Sequence, residues 1–115
     1  MNAWGSALSR CSREAGELRH IPKRSLGSGD CLIVRTRHST YTLRVLGNKS
    51  VSVSGGWFDR AGTSPVTVRI TGCSWGGSII KIDTAAACGL CLEFSNRVIT
   101  SPVEQIVYLP SHLQN

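Results

Sequence analysis

From Cys31 onward the chain alternates. In "CLIVRTR", residues 31–37, Leu32, Val34 and Thr36 share one parity while Arg35 and Arg37 take the other. In "TYTLRVL", residues 40–46, Tyr41, Leu43 and Val45 oppose Thr40, Thr42 and Arg44. A period of two places successive side chains on opposite faces of a strand, whereas a helix repeats its face every three to four residues. These segments therefore read as strands with one apolar and one polar face.

The alternation also restricts how the strands pair. A two-residue loop at His38-Ser39 sets position 36 against 41, 34 against 43 and 32 against 45, so like faces meet. A four-residue loop keeps that match, but a one-residue slip turns every side chain to the wrong side. The next connection has the opposite requirement. Val51 and Val53 join Val45 and Leu43 on the inner face only across an odd loop, Gly47-Asn48-Lys49, where Gly or Asn supplies a positive φ cheaply. The outward side of this three-strand meander carries Arg35, Arg37, Thr40, Thr42, Arg44, Ser52 and Ser54, and no acid.

Farther on, "GGWFDRAGTSP" reads as a loop, and "VTVRIT" as a strand with Val66, Val68 and Ile70 inward. "GCSWGGS" turns the chain into "IIKID". "AAACGLCLEF" follows, then a turn at Ser95-Asn96 into "RVIT", and "SPVEQIVYL" with Pro102 marking a strand start or bend. The expected fold is all-β, a small barrel or compact roll of seven to eight short antiparallel strands, with no internal repeat. Residues 30–110 form the single β domain on this reading. Residues 1–29 read as an N-terminal extension: Leu8, Cys11, Ala15 and Leu18 have helical spacing, but "SLGSGD" looks like a linker. Residues 111–115 are a C-terminal tail. A chain of 115 residues buries roughly two-thirds of its unfolded surface, which leaves little material for a deep cleft.

The net charge of +6 is unevenly placed. Residues 31–60 hold Arg35, Arg37, Arg44, Lys49 and Arg60 against Asp59 alone, while residues 61–115 are balanced. No apolar run approaches the length of about 18 residues that spans a bilayer, and the opening "MNAWGSALSRCSREAGELRH" has no apolar core segment of a secretory signal. With five cysteines at no disulfide-framework spacing, a reducing cytoplasm is the expected setting.

Several stretches together, "RTRHSTY", "GGWF", "GGSIIK" and "NRVITSPV", resemble a set of small uncharacterised bacterial proteins whose chains open "GD-x-L/V-x-V-RTR-x-STY". The resemblance covers roughly residues 29–107. It implies a bacterial, cytoplasmic all-β domain with residues 1–28 as an appendage, and it brings no activity or ligand.

Three stretches and the scattered acids invite chemistry. "CGLC", Cys88 to Cys91, has the spacing of a redox or zinc half-site, but no second pair exists and no helix follows, so packing cysteines are expected. In a continuous strand over 86–95 the two thiols would point to opposite sides. His38-Ser39 on a hairpin tip lacks the third group and the oxyanion donor of a triad. "SWGGSIIK" lacks the P-loop spacing and its helix. The acids Asp30, Asp59, Asp83, Glu93 and Glu104 fall in separate turns or outward strand positions. No enzyme, metal or cofactor is expected.

What remains is a surface. Arg35, Arg37, Arg44 and Lys49 with the loop aromatics Trp57, Phe58 and Trp75 have the ingredients of a single-strand nucleic-acid platform, on which bases stack while cations meet phosphates. The same rings would equally plug the ends of a small barrel, and the same arginines would equally be a solvated sheet face. The expected function is a non-catalytic binding module, for a protein partner or a second copy of itself. Binding of RNA or single-stranded DNA is the alternative, and no membrane role is expected.

Overall fold

The computed structural model describes residues 16–76 and 80–114, so Leu8, Cys11 and Ala15 of the expected helical stretch lie outside it. The described residues form β1 (Gly16–Leu18), β2 (His20–Pro22), β3 (Cys31–Thr36), β4 (Thr40–Val45), β5 (Ser50–Gly55), β6 (Val66–Ser74), β7 (Ile80–Lys81), β8 (Thr84–Ala87), β9 (Cys91–Phe94) and β10 (Ile99–Leu109). One helical turn, Gly56–Arg60, lies inside the stretch expected to be plain loop, and none of the described helices is long enough to cross a membrane.

Six strands close a barrel in the order β10-β3-β4-β5-β6-β9 and back to β10, every pair antiparallel. Closure removes the exposed edges that an open sheet of this size would present. β1 adds to β10 beyond its pairing with β9, and β7 adds to β6. β2 and β8 form a separate two-stranded ribbon whose Ile21 and Ala85, Ala86 and Ala87 are buried in the same core, with β8 packed against β6, β9 and β10. The β unit therefore begins by Gly16, earlier than residue 30. Leu18 sits in a strand, because the unpaired edge of β10 offers β1 a ladder that a lone short helix could not match.

The β3–β4 hairpin keeps the expected faces but not the expected register. Val34 pairs with Tyr41, Leu32 with Leu43 and Arg35 with Thr40, and the two-residue loop is Arg37-His38. This is a shift of two positions, the smallest that leaves each face intact. Thr36 decides it. Its hydroxyl accepts from the Ser39 N–H and donates to the Ser39 carbonyl, both at 3.1 Å, and it also accepts from the Ser101 hydroxyl at 2.8 Å. The β4–β5 loop is the odd one expected, pairing Val45 with Val51 and Leu43 with Val53, with Asn48 (φ 60°) and Lys49 (φ 64°) both in the left-handed region.

"AAACGLCLEF" is two strands rather than one. Gly89, at φ 90°, turns the chain between β8 and β9. Pro102 falls at the irregular register of β10 against β9, as a residue without an N–H must where a ladder is interrupted.

The double glycine before Trp57 is an architectural device. Gly55 (φ 98°) and Gly56 (φ 47°) reverse the chain onto the barrel mouth. A Cβ at Gly55 would lie 2.3 Å from the Thr40 carbonyl oxygen, and one at Gly56 would lie 2.4 Å from the Tyr41 ring. Bare backbone at both positions lets Phe58 drop into the mouth. There it meets Tyr41 (centroids 6.0 Å apart, 79°) and Phe94 (5.5 Å, 71°) edge to face. Phe58 is fully buried and is withdrawn from the candidate binding residues, since the core gains the whole ring by taking it.

Two acids expected at turns or outward positions are also buried. Asp30 accepts from the Gly27 N–H (2.7 Å), the Tyr108 hydroxyl (2.9 Å) and the Ser111 N–H (2.9 Å), tying the approach to β3 to the end of β10. Glu93, on β9, accepts from the Ser74 hydroxyl across the β6–β9 pair.

Candidate functional site

The structure disperses the seven residues singled out from the sequence. Arg35 and Arg44 both face outward, but the register separates them by four positions along β3, about 13 Å at strand rise. That exceeds the screening length of about 8 Å at physiological salt, so the lack of an acid between them costs little. Arg44 has partners of its own: its guanidinium donates to the Gln114 side-chain oxygen at 3.0 Å and to the Gly29 carbonyl at 3.4 Å. Arg37 sits on the β3–β4 turn, Lys49 on the β4–β5 turn at the other end of the barrel, and Trp75 just past β6, 65 % exposed.

Basic residues do converge, at the barrel end that carries the β4–β5 turn. There the inward residues Val45, Val51 and Ile70 form the floor of a groove of about 800 Å³. Lys49 rises on one wall. Lys23 and Arg24 come from a 3-10 turn after β2, and Arg69, set opposite Ser50, from β6. Ile82 and Asp83, on the β7–β8 connection, complete the lining, and Asp83 is its one acid among the described residues. Buried apolar side chains thus lie beneath a rim that is mostly cationic.

The wall around Lys23 is fixed by backbone. The Lys23 N–H donates to the Asp83 carbonyl at 2.9 Å, and its ammonium donates to the Thr71 carbonyl at 3.0 Å. Burial lowers the Lys23 pKa from the ordinary lysine value. Lys49 pushes it down further, while Asp83 and the neighbouring Cys73 pull it up. An anion held in the groove would offset the burial that disfavours the charged form of Lys23.

Sequence reasoning found only Lys49 of these four cations. Lys23 and Arg24 lay in a segment read as an extension leading into a linker, and Arg69 in a strand whose charge balance was unremarkable. The one sequence signal for the first two was a Lys-Arg pair directly after "IP", where Ile21 is an apolar anchor.

The opposite end presents a second group. The Arg60 guanidinium donates to the Ser39 hydroxyl at 3.2 Å, which holds the helical turn against the turn carrying Arg37 and His38. Trp57, 45 % exposed, packs edge-on to Phe58 (5.5 Å, 90°), and its backbone N–H donates to the Tyr41 hydroxyl at 3.3 Å. Asp59 is turned to local use: the Ser64 hydroxyl and the Gly55 N–H hold its carboxyl below the usual carboxylate range.

The described cysteines are free thiols. Cys73 is buried on β6, where loss of solvent pushes its pKa up to about 11, and burial raises that of Cys31 as well. Neither has the depressed pKa of a reactive thiol. Cys88 is half-buried with its thiol toward the Glu104 carbonyl (3.5 Å), while Cys91 is buried on β9. Among the described residues no three of His, Cys, Asp and Glu gather as metal ligands. Comparison of the chain with protein-family models, with curated proteins and with solved structures returns no match.

Proposed function

We propose that this chain is a non-catalytic binding module for single-stranded nucleic acid, whose phosphates lie in the basic groove. One observation carries the reading: Lys23 with Arg24, Lys49 and Arg69, from three separate segments of the chain, line one groove against Asp83 alone among the described residues. Phosphate contacts supply most of the affinity of such binding. A reducing cytoplasm is the proposed setting, in keeping with the free thiols.

The test is a fluorescence-anisotropy titration with mixed-sequence RNA and single-stranded DNA from low to physiological salt. Affinity should fall steeply with salt. Lys49→Ala and Arg69→Ala should each flatten the log–log slope by about 0.7 for every phosphate left without its cation. Absence of binding at low salt, or slopes unmoved by both substitutions, would sink the proposal.

A second reading, docking of a protein partner or a second copy, is favoured by the exposed apolar side chains beside the groove. Trp75 and Ile80 flank the β6–β7 hairpin at 65 % and 41 % exposure, with Ile82 just beyond at 62 %. Apolar side chains gathered this way mark interaction sites more often than bare surface. Light scattering across a concentration series distinguishes it, because a self-associating chain grows in mass and Trp75→Ser abolishes the growth.

A further inference from the structure

We infer that the strand held in the groove continues across the barrel wall to a second anchor at the opposite end, where Trp57 stacks an unpaired base and Arg37 and Arg60 meet its phosphate. The inference rests on the groove reading above and deepens it, by fixing the ligand's minimum length and where its far end is held.

Three observations support it. Trp57 is a rigid platform: its backbone N–H is held by the Tyr41 hydroxyl, its ring is braced edge-on by Phe58, and nearly half of the residue meets solvent. An exposed aromatic that has already lost its freedom gives stacking energy at small entropic cost. Arg60 lies one helical turn after Trp57, and its bond to Ser39 draws the Arg37 turn alongside. The third is the path between the ends. β3, β4 and β5 contain no Asp or Glu, and their outward positions offer Thr42, Ser52, Ser54 and the Arg44 guanidinium. Hydroxyls and cations are the groups that contact a phosphodiester backbone.

The span sets a length. β5 runs the distance from the groove turn to the Trp57 turn in five steps, Ser50 to Gly55, about 17 Å at strand rise. A strand stacked at about 3.4 Å per nucleotide bridges it with about five nucleotides. Ligands shorter than this reach one anchor, and longer ones reach both, which raises the affinity of the linked pair by about a hundredfold or more.

The experiment is a length series of 5′-fluorescein oligoadenylate and oligodeoxyadenylate, whose bases stack along the strand (three, six and ten nucleotides), titrated against the full chain at low salt. Affinity should rise about a hundredfold between the trimer and the hexamer, and little beyond that from hexamer to decamer. Trp57→Ala and Arg37→Ala should each weaken the hexamer about tenfold while leaving the trimer unchanged. Trp57→Phe, which keeps a ring, should restore most of that affinity, and it also separates stacking from any defect in folding. Equal binding of trimer and hexamer, with the salt dependence intact and sensitive to Lys49→Ala, overturns the second anchor and leaves the groove standing. Affinity that climbs evenly with length and ignores Trp57→Ala also overturns it. No binding at any length overturns both readings.

Discussion

Asp30 offers the sharpest test of how the barrel is held together. Its carboxylate is fully buried and, among the described residues, receives three donors: Gly27 N–H and Tyr108 O–H at one oxygen, Ser111 N–H at the other. Asp30→Asn replaces one oxygen with a donor. The better of the two amide orientations keeps the Tyr108 and Gly27 bonds and sets an NH2 against the Ser111 N–H. Hydrogen bonds to a charged group contribute about 1.5–3 kcal/mol each, and an orphaned buried donor costs about 1–3 kcal/mol. Asp30→Asn should therefore lower the stability by about 2–3 kcal/mol. Asp30→Ala, which orphans all three donors, should lower it by about 4 kcal/mol or more, a large share of the roughly 5–15 kcal/mol typical of a domain. Tyr108→Phe removes one charge-assisted bond and leaves the carboxylate its other donors, for about 1.5 kcal/mol or more. Urea unfolding at pH 7, followed by circular dichroism and tryptophan fluorescence together, reads all three as midpoint shifts at constant slope. Burying a carboxylate carries its own desolvation cost, which an amide avoids. If Asp30→Asn lies within about 0.5 kcal/mol of the wild type, that cost cancels the three bonds and the reasoning fails.

Two further outcomes follow from backbone and thiol chemistry. Gly56→Ala forces a Cβ to within 2.4 Å of the Tyr41 ring at φ 47°, and should cost about 2–4 kcal/mol in the same urea assay, from strain and displacement together. Gly47→Ala, with open space at its Cβ, is the near-neutral control. The Cys73 thiol is raised in the folded state to about 11 from 9.0. The unfolded chain thus releases this proton first as pH rises, and the contribution of Cys73 to stability, complete below about pH 9, is lost between about pH 9 and 11. Unfolding midpoints measured across that window should fall more steeply in the wild type than in Cys73→Ala, and parallel curves would refute the assignment.

The faces of the barrel strands were legible in the residues themselves, because alternation is a local property that survives whatever the strand pairs with. The odd β4–β5 loop followed from the same parity, since only one loop class brings Val51 opposite Val45. The β3–β4 register was not legible. Slipping by two residues preserves both faces, and the choice fell to Thr36, whose hydroxyl bonds Ser39 nearby and Ser101 from the far end of the chain. Asp30, Thr36, Ser39 and Tyr41 act in architectural bonds of this kind rather than at the groove. Phe58 looked the same as Trp57 in sequence, adjacent and aromatic after two glycines. Only the placement of Tyr41 and Phe94 around the barrel mouth sends one ring inward and leaves the other half exposed.

The basic groove was beyond the sequence for a related reason. Composition determined that cations outnumber acids, and parity determined that Arg35 and Arg44 face outward, but neither says which charges share a site. Lys23, Lys49 and Arg69 lie on elements far apart in the chain, and they meet only where the closed barrel brings β6 and the turn after β2 to the β4–β5 turn. A strand's periodicity is written residue by residue. A site assembled from distant segments exists only after long-range pairing has fixed which ends of which strands lie together.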